Sequence, residues 1–153
     1  MSDTTNPTPY ELPSTASYRI NQWIEDAISD LQRATDRFIT DAAVDPTRTI
    51  AWRAEDLIVK QTLANLATDI RDAFTEGHVD NIPDAFCYGI QIAHRDLARL
   101  TSESGNSTSA GHRLADHARA TAYAGLFSEM GWHLGIDLLN VLNRAAWLSA
   151  RSD

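Results

Sequence analysis

The stretch STASYRINQWIEDAISDLQRATDRFIT, residues 14–40, decides the fold class. Its apolar residues are Ile20, Trp23, Ile24, Ala27, Ile28, Leu31, Ala34, Phe38 and Ile39. They recur at intervals of three and four and cover less than half of a helix circumference. Glu25, Asp26, Gln32, Arg33 and Asp36 fall outside that arc. A helix of this kind must lay its stripe on other elements, and the rest of the chain offers more of the same pattern.

Asp45-Pro46 reads as a helix start, with Asp as the cap and Pro in the first turn. The second helix then spans residues 46–75 and ends at Gly77. Its Trp52, Val59, Leu63, Leu66, Ile70 and Phe74 are expected to be buried. Leu57, Ile58 and Ala64 widen the apolar surface, so this helix should touch two neighbours. Asn81 caps a third helix, with Pro83 just inside and a seam of Phe86, Ile90, Ala93, Leu97 and Leu100, running to about Thr101.

SESGNSTSAG, residues 102–111, reads as a polar loop and as the most mobile segment. From His112 to Ser149 the pattern is helical again. Gly131 and Gly135 each cost about 1 kcal/mol relative to Ala in a helix interior. One long or kinked helix is still favoured over two that meet near Gly131. No strand pattern appears. The expectation is an all-α bundle of four to five amphipathic helices with a flexible N-terminal tail. Residues 1–14 form a disordered or loosely docked tail, and 15–150 a single helical-bundle domain. Tyr10 and Leu12 are the residues available to pin the tail.

A chain of 153 residues can bury a core without a disulfide or metal. Its net charge of −8 repels phosphate backbones, makes nucleic acid an unfavourable partner, and favours a basic protein partner. The basic residues are twelve arginines and one lysine, Lys60, in an Ala- and Asp-rich chain. That bias suggests a GC-rich bacterial or phage source. Cys87 is the only cysteine, which excludes an internal disulfide and a cysteine zinc site and suits a reducing cytoplasm. The first residues lack the basic start and apolar run of a signal peptide, and no 18-residue apolar run exists for a membrane span. A cytoplasmic protein without a membrane partner or cofactor is expected.

The stretch EMGWHLGID, residues 129–137, sets Glu129, His133 and Asp137 at steps of four. On a continuous helix these share an arc of about 80° with Asn140 and Arg144. The three side chains suit a metal, but they spread over about 12 Å of axis, too far to reach one ion. They are read as an exposed contact face, together with Trp147. The other side of this segment carries Ala120, Thr121, Ala124, Ser128, Gly131 and Gly135. Small residues there suggest close packing within the bundle. The secondary reading is a homodimer seam through Gly131, Gly135, Ala124 and Ser128.

Two further sets are held as alternatives. Helical projection brings His117 into the apolar arc, His94 toward the third-helix seam, and Asp56 into line with Leu63 and Phe74. Together they would make a metal-binding or catalytic polar network. Arg71 and His78 carry the spacing of the Arg and His in small helical ribonucleases of the HEPN type, although the pattern is too short to carry a resemblance. Trp23 and Trp52 are expected in the core. The functional expectation is a small acidic non-enzymatic protein-interaction module of the inhibitor, immunity, antitoxin or phage-accessory kind. It would work by steric and electrostatic contact.

Overall fold

Asp45 turns the chain between its two longest helices. Its side chain accepts from the Arg48 N–H (3.1 Å), and Pro46 opens the helix that follows. In a computed structural model, residues 10–103 and 110–152 are described. They form α1 (Ala16–Val44), α2 (Pro46–Thr75), α3 (Ile82–Glu103), α4 (Ala110–Glu129), a π-helical turn (Met130–Leu134) and α5 (Leu138–Ser152). No strand occurs among the described residues, so the fold is an all-α bundle. None of these helices is long and apolar enough to cross a membrane.

α1 and α2 pair as a hairpin, tied near its closed end by Arg53 Nε to Asp41 Oδ2 (2.7 Å). α2 packs on α1, α3 and α4, one neighbour more than the two expected from its apolar surface. The core gathers where α1 begins and α2 ends. There Ile20 and Ile24 of α1 meet Leu66 and Ile70 of α2, Phe86 and Ile90 of α3, Met130 of the π turn and Val141 of α5. Trp23 adds an edge-to-face contact with Phe86, ring centres 5.9 Å apart. Gly89 lets α3 approach α2 closely. A Cβ there would stand 2.5 Å from Ile70 Cγ1.

Burial fades toward the hairpin tip. Beyond Ala27, Leu31, Ala34 and Phe38 are only half-buried, and Ile39 is exposed. Trp52 is 76% exposed and Phe74 39%, against the expectation that both lie in the core. Periodicity reports which face of a helix is apolar. It does not report how far along that face a neighbour extends.

The last segment is two helices, not one long helix. α4 loosens into the π turn, and Gly135 adopts φ +66°, a left-handed conformation that favours glycine. The Gly135 and Ile136 N–H groups both donate to the Met130 carbonyl (3.2 Å from Ile136). Asp137 then starts α5, its Oδ2 accepting from the Asn140 N–H (3.3 Å). Of the expected tail, Leu12 is buried in the core and the Tyr10 carbonyl accepts from Asn140 Nδ2 (3.4 Å). The rest of the tail, 1–9, and most of the expected mobile loop, 104–109, lie outside the described residues.

Candidate binding trough

α1 and α4 both pack on α2 and α3, and the space left between them over α2 is a trough of about 770 Å³. Its α1 wall uses Thr15, Tyr18, Arg19, Gln22, Asp26 and Asp30, residues three and four apart on one helix face. Trp23, Leu63, Leu126 and Met130 give it an apolar floor. Tyr18 stands at the lip and is largely exposed. The π turn re-aims the chain after Glu129 so that His133 and Leu134 complete the far wall.

The rim is charged. Glu129 and His133 face each other at 3.9 Å, and Gln22 Nε2 donates to Asp26 (3.1 Å). Asp30 and Lys60 belong both to this trough and to a smaller hollow of about 200 Å³ farther along the same seam. That hollow is lined by Arg33, Arg37, Arg53 and Asp56 as well. The α1–α2 seam is therefore one furrow, mixed-charge and apolar-floored at the wide end and richer in cations toward the tip.

The five-residue stripe from the last segment does not hold together, because it presumed a continuous helix. Glu129 and His133 remain neighbours and line the trough. Asp137 is an N-terminal cap of α5. Asn140 reaches the Tyr10 carbonyl. Arg144 is a correction: it is 8% exposed and pairs with Asp84, Nε to Oδ1 at 3.0 Å. Trp147 is half-buried rather than a free contact surface, with the Arg144 and Arg151 guanidinium carbons 4.8 Å and 4.5 Å from its ring centre.

The alternative sets are also dispersed. The His117 side chain is 70% exposed and its Nε2 lies 3.4 Å from Glu55, not in an apolar arc. His94 is exposed and stands beside the Phe127 ring, 5.8 Å between centres. Asp56 is exposed and lines the smaller hollow of the furrow. Among the described residues no group of three or more His, Cys, Asp or Glu is placed to hold a metal ion. Arg71 has Asp72 at 3.8 Å, and His78, beyond Gly77, has Glu76 at 3.2 Å. Burial, then the nearby Asp84 charge, pushes the Cys87 thiol up to about 12, so it is not a thiolate nucleophile near neutrality.

The small-residue side differs from its expectation too. Ala124, Ser128, Gly131 and Gly135 are exposed. Nothing lies within 4 Å of a Cβ added at Gly131, and the nearest neighbour at Gly135 is the Arg19 side chain at 3.9 Å. The close helix approach is at Gly89, which periodicity could not distinguish from any other half-buried position. Sequence reasoning also missed Tyr18 and Arg19 as trough residues. Their regular spacing with Gln22 and Asp26 was the available signal, but it marks the wet side of α1 as readily as a wall.

No protein-family model, curated protein or solved structure matches the chain.

Proposed function

We propose that the protein is a small acidic interaction module of the cytoplasm, acting by contact with a partner protein rather than by chemistry. The observation that carries this reading is the trough between α1 and α4. It has an apolar floor of Trp23, Leu63, Leu126 and Met130, an exposed aromatic lip at Tyr18, and a rim of opposite charges. Such a groove suits an amphipathic segment, which lays its apolar stripe on the floor and its polar flanks against the rim. Asp26, Asp30 and Glu129 outnumber Arg19 and Lys60 along that rim. With the chain's net charge of −8, this favours a partner with basic flanks and speeds its approach.

This is the inhibitor, immunity, antitoxin or phage-accessory kind of role, in which the chain covers a partner's surface. The test is capture of a partner by the tagged chain, repeated with Tyr18→Glu and with Glu129→Lys. Tyr18 and Glu129 are exposed, so both variants should fold. Capture by the unaltered chain and its loss in both variants supports the reading. Capture indifferent to both, or no catalogue of partners from the native host at all, sinks it.

A further inference from the structure

Val44 and Trp52 project from the tip of the α1–α2 hairpin, 86% and 76% exposed. They line one hollow of about 530 Å³ with Asp41, Asp45, Arg48 and Arg53. A tryptophan that is covered removes on the order of 150–250 Å² from water. Here the Arg48 guanidinium carbon lies 5.7 Å from the ring centre, and the residue is still 76% exposed. The tip shares no lining residue with the trough.

Charge decides what can cover it. With a net charge of −8, two copies of the chain repel over most of their surfaces. The tip is an exception. Residues 39–53 contain Asp41 and Asp45 against Arg48 and Arg53, and so are neutral. A twofold contact is self-complementary, each patch meeting its own copy. It needs a projection beside a recess, and both signs of charge beside each other. Trp52 supplies the projection, the hollow it borders supplies the recess, and the two aspartates lie among the two arginines.

We propose that the hairpin tip is the contact surface for a second copy of this chain, with Trp52 of each copy seated in the hollow of the other. Asp41 and Arg53 stay paired within each copy (2.7 Å), so the neutral tip meets its own copy without net repulsion. A patch of this size buries less than about 1,200 Å² in total, so the dimer is weak and reversible.

Sedimentation equilibrium of the full chain from micromolar to millimolar concentration tests this. The average mass is expected to rise from the monomer's 16.9 kDa toward twice that value. Trp52→Ala should raise the dimer dissociation constant at least tenfold, as loss of a central aromatic anchor does (about 1.4 kcal/mol per tenfold). Trp52 is too exposed for the change to disturb the fold, and circular dichroism verifies that. Ala124→Arg, on the exposed face of α4, should leave the curve unchanged. A monomeric mass at millimolar concentration overturns the proposal. So does a dimer indifferent to Trp52→Ala, or one weakened as much by Ala124→Arg.

Discussion

Arg144 grips Asp84 with two nitrogens, Nε at 3.0 Å from Oδ1 and Nη2 at 3.3 Å from Oδ2, and so ties α5 to the first turn of α3. Each residue is 8% exposed. Asp84 is held in place from its own helix as well. Its N–H donates to Asn81 Oδ1 (2.8 Å), and Asn81 Nδ2 donates back to its Oδ2 (3.2 Å). Asn81 thus caps α3 with its side-chain oxygen and holds the Asp84 carboxylate with its side-chain amide. A carboxylate already fixed on its own helix has little further freedom to lose when it pairs with Arg144.

Removing one member of a buried pair leaves the other charge without its counterpart, at a cost of about 3–5 kcal/mol. Arg144→Met should therefore destabilise the protein by about that much in urea unfolding. The double variant Asp84→Leu, Arg144→Met should lose clearly less than the sum of the two single changes, since no orphan charge remains. Strict additivity of the singles would show that the pair is not coupled.

The glycines divide by what surrounds them. A Cβ at Gly89 would meet Ile70 Cγ1 at 2.5 Å and Cδ1 at 2.8 Å, so Gly89→Ala forces α2 and α3 apart or Ile70 out of its rotamer. Overpacking of that kind costs about 1–3 kcal/mol, against about 1 kcal/mol gained in helix propensity. A net loss is expected. Gly125, in the interior of α4 with nothing within 4 Å, should behave oppositely: Gly125→Ala should gain about 0.5–1 kcal/mol. Thermal unfolding of the two variants side by side checks both signs.

What was legible in the sequence was local chemistry. The period of α1, the Asp45-Pro46 start, the Gly77 stop and the Asn81 cap each depend on a few adjacent residues, and the helix bounds follow from them. What was illegible depended on distant partners. Arg144 is buried because Asp84 waits for it on a helix sixty residues earlier. Trp52 is exposed because the bundle leaves the hairpin tip uncovered, although its place in the α2 pattern matches that of core residues. The trough was half legible. Glu129 and His133 were singled out, but their counterparts on α1 were not, and the π turn that aims His133 at them breaks the projection used to group the stripe.

Asp137 is a cap, and its replacement should read as one. Its side chain satisfies the Asn140 N–H at the start of α5, and its carbonyl accepts from Val141 N–H (3.0 Å). Asp137→Ala should cost about 1 kcal/mol, and Asp137→Asn less, because Asn caps nearly as well. Equilibrium unfolding measures both. If Asp137→Asn costs as much as Asp137→Ala, the carboxylate charge rather than the cap geometry is what α5 uses.

Cys87 makes the protein less stable in alkali, with a sign that follows from its burial. The folded thiol is held up to about 12, against an ordinary value of 9.0, first by desolvation and then by the Asp84 charge, with Arg144 opposing. Below pH 9 the thiol is protonated in both states, and its contribution to stability is fully present. Between 9 and 12 the unfolded chain releases the proton while the folded chain keeps it. Stability then falls with rising pH, at a slope approaching about 1.4 kcal/mol per unit from this group. Other alkaline groups, including Tyr123, whose phenol burial also raises, are common to the native chain and to a Cys87→Ala variant. The difference between their slopes therefore isolates the thiol. Urea midpoints measured from pH 8 to 11 should fall more steeply for the native chain than for Cys87→Ala, whatever constant offset the lost sulfur introduces. Parallel lines would mean that the folded thiol ionises no later than the unfolded one.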